Sequence, residues 1–295
     1  MLNPEISTNH RPVDRLGKSP LLATIADAVQ PVVQRALSAA GPAVDDVLHG
    51  TFLGHPLHPV MTDIPVGAWT VTTVLDALEL SGRRDVAFAA DAALVVGLLG
   101  GIGSIATGWA EWADTKDDPK NVGMAHALLN AVGFTGYLAS LALRRAGQRR
   151  AGIATGMVSY GFSSLAAYLG GELSFGLQLG VRHTAEPIEP PGDFTPVMSA
   201  AALSASRPAR VDFNGIPVLV SRGDGGVAAI SAACTHRGGP LDQGTFADGC
   251  VTCPWHGSVF SLADGSVVRG PASFPQPRFE ARETGGRIEL RALPV

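Results

Sequence analysis

Charge is scarce in this 295-residue chain. Only 16% of residues are charged and 6% aromatic, against roughly a quarter charged in ordinary soluble domains. Cysteine is nearly absent. The three present, Cys234, Cys250 and Cys253, stand close together near the C-terminal end. An odd, small number excludes a disulfide framework, and clustering beside histidines points to metal instead. Basic blocks are missing as well. Lys and Arg number 22 against 26 acidic residues, for a net charge of −4, which excludes nucleic acid as a partner. Residues 1–20 are polar, carry Pro4, Pro12 and Pro20, and lack the apolar stretch of a secretory signal.

In place of charge there are long uncharged runs, and the mean hydropathy is +0.21. Ala92–Ala110 and Ala151–Gly171 contain no charged residue, and Asn121–Leu143 contains none apart from His126. Each run is about 20 residues, enough at 1.5 Å per residue to cross a hydrocarbon layer of roughly 30 Å. Val60–Leu80 is a weaker candidate, interrupted by Asp63, Asp76 and Glu79. Gly97, Gly100, Gly101, Gly103, Gly133 and Gly136 suit close packing of membrane helices. Trp69, Trp109 and Trp112 fall near span ends, as in an interfacial belt.

Four membrane helices are therefore expected. Arg83 and Arg84 in the first connection, with Arg144, Arg145, Arg149 and Arg150 in the third, place those connections in the cytoplasm and both termini outside. Such a chain is a multi-pass protein of the bacterial inner membrane. Arg149-Arg150 also has the look of an internal twin-arginine export signal. Asp91 is expected to pair with Arg83 or Arg84 at a helix end. Ahead of the spans, Ser19–Ala40 has helical periodicity (Leu22, Ile25, Val29, Val32, Val33, Leu37), broken at Pro31. It suits either an interfacial amphipathic helix or one packed on the next domain. His10 and His49 read as surface residues.

Beyond a proline-bearing linker the pattern becomes short strands and glycine turns. Ala209–Phe213 and Pro217–Val220 flank Asn214-Gly215, a hairpin signal, and Arg287–Ala292 alternates as a last strand. The expected fold class is multidomain, an all-α four-helix transmembrane bundle followed by a small all-β domain. The boundaries are 1–50 for the N-terminal segment, 51–182 for the membrane domain, 183–195 for the linker and 196–295 for the β domain.

Within that β region stand Cys234-Thr-His236 and, sixteen residues on, Cys253-Pro-Trp-His256. Two thiolates with two imidazoles suit zinc or an iron–sulfur cluster. Zinc fingers usually take two cysteines from one segment and two histidines from the other. Here each loop gives one of each, so both sulfurs can serve one metal and both nitrogens a second.

Cys234-Thr-His-Arg-Gly-Gly-Pro-Leu241 and Cys253-Pro-Trp-His-Gly-Ser-Val-Phe260 resemble the two cluster-binding loops of the Rieske family. That resemblance extends over the Asp264-Gly turn and Gly270-Pro271. It implies a 2Fe–2S cluster with Cys234 and Cys253 on the inner iron, His236 and His256 on the outer one, and Ser258 donating to a bridging sulfide. It also implies electron transport with a docking redox partner protein. Against the cytochrome bc branch, the loop disulfide is missing, with Gly239 and Trp255 in its place, and Phe260 replaces a donor tyrosine. A potential between the ferredoxin-like and bc-like ends is expected. Cys250 reads as a buried structural residue.

Gly54-His-Pro-Leu-His-Pro-Val-Met-Thr-Asp-Ile-Pro-Val-Gly67 resembles the opening of a bacterial membrane family of uncharacterised function. His55, His58 and His126 are candidates for binding a b-type haem or a quinone, with His58 and His126 as the axial pair. The function expected is a membrane-anchored iron–sulfur protein relaying single electrons from a membrane donor, quinol or haem, to a partner. A redox sensor or scaffold, and a quinol-oxidising enzyme, are the alternatives.

Overall fold

The computed structural model describes residues 11–184, 192–204, 207–223 and 226–293. Two compact units result. One comprises residues up to Ala39 together with Leu57–Leu179, and the other Ala40–Pro56 together with Gly180–Val295.

The first unit is helical. It contains α1 (Arg11–Gly17), α2 (Pro20–Ala40), α4 (Leu57–Leu80), α5 (Ala87–Trp112), α6 (Asp117–Arg145) and α7 (Arg149–Gly171), while α3 (Pro42–His49) belongs to the second unit. Four long helices thus occupy the stretch expected to hold four spans. Two of them, over Arg84–Trp112 and Asp117–Arg145, are long and apolar enough to cross a membrane. The helix α4 carries Asp63, Asp76 and Glu79, and α7 is diluted by Gly and Ser. Phe88, Val96, Leu99 and Ile102 on α5 and Val132 and Leu138 on α6 point outward, between 47% and 84% exposed.

Glycine sets the helix pairing. A Cβ at Gly97 would lie 2.2 Å from Trp69 Nε1, one at Gly100 2.4 Å from Ile64, and one at Gly103 2.3 Å from Met61, so α5 meets α4 through its bare backbone. Gly133 and Gly136 do the same for Ser163 and Ser159 of α7. Trp69 is consequently no interfacial residue. It is buried mid-helix and stacked on Tyr137, ring centroids 4.1 Å apart. Trp112 is likewise buried, against Trp109. The amphipathic α2 packs on its own unit, with Leu22 and Ala26 buried beside Trp112, Met124 and Leu169. Its Gln30 and Gln34 side chains donate to the carbonyls of Thr115 and Ala113, 2.8 Å each. Val32, expected on that face, is instead exposed.

Ions gather where α4 and α6 end and α5 and α7 begin. Arg144 donates to Asp76 and, at 3.0 Å, to Asp91, and Arg149 to Asp91 and Glu79. The expected partners of Asp91 were Arg83 or Arg84, but Arg83 turns to Asp85. The Arg144 and Arg149 side chains reach Asp91 from helices distant in sequence. Two of the cations counted in the third connection therefore face the bundle.

The second unit holds two antiparallel sheets. Strands β1 (Thr195–Ser199), β2 (Ala209–Phe213), β3 (Ile216–Gly223), β4 (Gly226–Ser231), β9 (Arg278–Thr284) and β10 (Arg287–Ala292) form one, in the order β1-β10-β9-β4-β3-β2. Strands β5 (Thr245–Ala247), β6 (Cys250–Thr252), β7 (Val259–Ser261) and β8 (Val267–Arg269) form the other, in sequence order. The hairpin at Asn214-Gly215 forms with both residues at positive φ, as a tight turn of this kind requires. Phe213 against Phe279 and the alternate residues Ile288 and Leu290 of β10 fill one core. Leu219, Ile230, Leu241, Val251 and Phe260 fill a second, which includes Cys234 and Cys253.

Candidate metal centre

The two cysteine loops are built alike. In the first, between β4 and β5, Cys234 N–H donates to Gly239 O at 2.8 Å and Gly238 N–H to Cys234 O at 2.7 Å. In the second, between β6 and β7, Cys253 N–H donates to Ser258 O at 2.8 Å and Gly257 N–H to Cys253 O at 3.1 Å. The offsets from cysteine are identical. Gly238 and Gly257, four residues after each cysteine, have φ of 71° and 78°. That left-handed backbone is what glycine adopts at no steric cost. The sequence thus folds each loop locally around its own ligand.

Cys234 is 1% and Cys253 3% exposed. The two thiols interact closely. Cys253 is drawn down to about 6, first by a hydrogen bond from Cys234 and then by the N–H groups of Trp255 and His256. The same hydrogen bond and burial push Cys234 far up. Backbone N–H groups around the sulfurs are the donors a metal-bound thiolate needs. The rings of His236 and His256 meet edge to face, centroids 5.0 Å apart. Burial first, then Arg237 and His256, hold His236 well below its ordinary range, so the ring is neutral, as a ligand must be. Its Nδ1 is buried with no hydrogen-bond partner, an unusual cost unless something binds it.

Among the described residues no three His, Cys, Asp or Glu side chains converge on one point as a mononuclear ion would need. A two-iron centre asks for two protein donors per metal, and the residues present fit it. Ser258 Oγ, fully buried, accepts from Ala272 N–H at 2.9 Å, leaving its own proton for a further acceptor. Phe260 is fully buried and offers none.

Sequence reasoning missed the support behind the first loop. With its amide oriented to satisfy both neighbours, Gln276 donates to Ala233 O and accepts from Thr235 N–H, 2.9 Å each, while Thr235 Oγ1 donates to Phe274 O at 2.7 Å. Gly239 carries a sharper constraint, because a Cβ there would lie 2.8 Å from Cys253 Sγ and 3.2 Å from Trp255. We expect Gly239→Ala to cost about 1–3 kcal/mol of overpacking and to lower iron and sulfide content per chain. Circular dichroism should stay unchanged, and full loading would refute the steric reading.

The other candidates fare differently. Cys250 is half-buried, beside a cavity lined by Arg207, Arg222 and Asp248, so it is not a core residue. His49 is 8% exposed, its Nδ1 bonded to Asp45 O at 2.9 Å, because α3 packs into the β unit. His55 is exposed and bonds Pro56 O within that same unit. His58 and His126 lie in the helical unit. His58 Nδ1 meets Thr107 Oγ1 at 3.2 Å. His126 uses both nitrogens, Nδ1 on Ala166 O at 2.7 Å and Nε2 on Asn130 at 3.0 Å.

Residues 193–280 match the family model of the Rieske [2Fe-2S] domain, and residues 54–183 match a predicted membrane protein family (DUF2231). The chain is 31% identical over 75 residues to apoptosis-inducing factor 3 of Mus musculus, covering 25% of this chain and 12% of that protein. It is 37% identical over 76 residues to the cytochrome b6-f complex iron-sulfur subunit of Chlorobaculum thiosulfatiphilum, covering 26% of this chain and 41% of that subunit. Among solved structures, the ferredoxin of carbazole 1,9a-dioxygenase from Nocardioides aromaticivorans is 28% identical with a TM-score of 0.32, covering 34% of this chain and 98% of that one. The chain therefore carries a Rieske [2Fe-2S] domain at residues 193–280, behind a predicted membrane protein domain of the DUF2231 family at residues 54–183.

Proposed function

We propose that this chain is a membrane-anchored one-electron carrier, with Cys234 and Cys253 holding the inner iron of a [2Fe–2S] cluster and His236 and His256 the outer. One observation carries the reading: two loops of identical hydrogen-bond pattern bring two buried sulfurs and two imidazole rings, one of each per loop, into one place. When bound, the cluster supplies one-electron redox chemistry. The chain's residues keep water from the sulfurs, hold His236 neutral and leave the buried Ser258 hydroxyl a proton to donate. Trp255, 54% exposed beside His256, offers an aromatic contact to a redox partner protein.

All four long helices, α4 to α7, supply the anchor in a bacterial inner membrane, with the β unit on the extracytoplasmic side. Arg83, Arg84, Arg145 and Arg150 mark the cytoplasmic connections. A quinol is the better membrane donor, since His126 spends both ring nitrogens on Ala166 O and Asn130. Full-length protein in detergent, reduced with dithionite, should give an electron resonance with average g below the free-electron value and no haem absorption band. A quinol analogue should reduce it. Zinc without inorganic sulfide would end the redox reading.

A further inference from the structure

The segment between α2 and α4 lies outside the Rieske match, yet it packs into the same unit as the Rieske strands. It comprises α3 and the short turn Thr51–Leu53, each closed by a glycine at positive φ, Gly50 at 77° and Gly54 at 74°. These turns aim one side chain into the Rieske domain. The main-chain oxygen of Asp46 accepts from Gly50 N–H and, at 3.0 Å, from Thr51 Oγ1. Its carboxylate Oδ1 accepts from Gly270 N–H at 2.6 Å.

Gly270 bears the imprint of this contact from the other side. It is buried, and a Cβ there would lie 3.0 Å from Thr51 Cγ2 and 3.1 Å from Asp46 Oδ1. No positive φ demands glycine at 270, and the approach of the segment leaves little room for a side chain there. Two residues on, Ala272 N–H donates to Ser258 Oγ, and Ser258 O in turn accepts from Cys253 N–H. A short path of main chain and hydrogen bonds thus runs from Asp46 to the Ser258 hydroxyl, which the Rieske resemblance implies donates to a bridging sulfide.

We propose that residues 40–56 form a strap that is a working part of the redox domain, with Asp46 as a positioning residue. It sets the cluster's reduction potential by fixing Gly270–Ala272 and hence the direction of the Ser258 hydroxyl. The inference rests on the cluster assignment above. Hydrogen bonds to cluster sulfurs are among the determinants of potential, so a slackened Ser258 favours the oxidised form.

The test is a potentiometric titration of full-length protein in detergent, followed by electron resonance, on wild type, Asp46→Asn and Asp46→Ala. Asparagine keeps an acceptor for Gly270 N–H and loses the charge; alanine loses both. The difference between the two variants isolates the hydrogen bond from the charge. We expect Asp46→Ala to sit about tenfold further toward the oxidised form than Asp46→Asn at a fixed ambient potential, or about 59 mV for one electron. Iron and sulfide contents should be equal. Gly270→Ala, which pushes the strap away from the opposite side, should shift in the same direction and carries the test should Asp46→Ala fail to accumulate. Loaded variants with equal midpoint potentials overturn the strap's role while leaving the cluster assignment intact. A wild-type chain without iron and sulfide overturns both.

Discussion

Cys253→Ser protein, purified alongside wild type, is expected to retain almost no iron or acid-labile sulfide. Altering an outer partner of a metal site costs 10–100-fold in affinity, and on the proposed assignment this change removes a direct ligand, from a pocket where it is 3% exposed. The loss should therefore exceed about 100-fold, read as iron and sulfide per chain and as disappearance of the visible charge-transfer bands. Cys250→Ser is the matched control. Its sulfur is half-buried and belongs to neither loop, so loading should remain at wild-type level. Equal loss in both variants would show that thiol removal harms the domain generally and would remove the argument for Cys253 as a ligand.

The second large effect lies in the helical unit. Arg144 and Asp76 have side chains only 1% exposed and pair across α6 and α4, with Asp91 of α5 on the same guanidinium. Deleting one partner of a buried pair leaves an uncompensated charge, at about 3–5 kcal/mol. Arg144→Ala should accordingly lower the unfolding temperature in detergent by several degrees or prevent accumulation. Replacing the pair together, Arg144→Met with Asp76→Leu, should recover most of that loss, because well-packed apolar residues serve a buried site about as well as an ion pair. A double variant as unstable as the single one would mean that Asp91 and Arg149 depend on Arg144 too, and that the network acts as a whole.

The conformation of the two cysteine loops was legible because everything it needs is local. A cysteine, a histidine two or three residues on and a glycine at the fourth position fit into a single turn, and the left-handed glycines 238 and 257 are part of the same short string. The helices were legible from runs without charge, and the β domain from its turns. What failed was tertiary. Asp91 finds Arg144 and Arg149 53 and 58 residues away, and only the packing of four helix ends says so. Trp69 looked interfacial until the missing side chain of Gly97 gave its indole a place inside. His49 looked exposed because nothing near residue 49 in sequence shows that α3 joins strands some two hundred residues later, as the Asp46–Gly270 bond over a separation of 224 does.

The strap has a consequence for how the chain can be threaded through a bilayer. One folded unit is made from residues 40–56 and residues 180–295, so both pieces must end up in the same aqueous compartment. Any crossings of a membrane by what lies between them therefore come in pairs. Two or four traversals by the helices from 57 to 179 are compatible with this; one or three would tear a piece of the Rieske domain away to the far side.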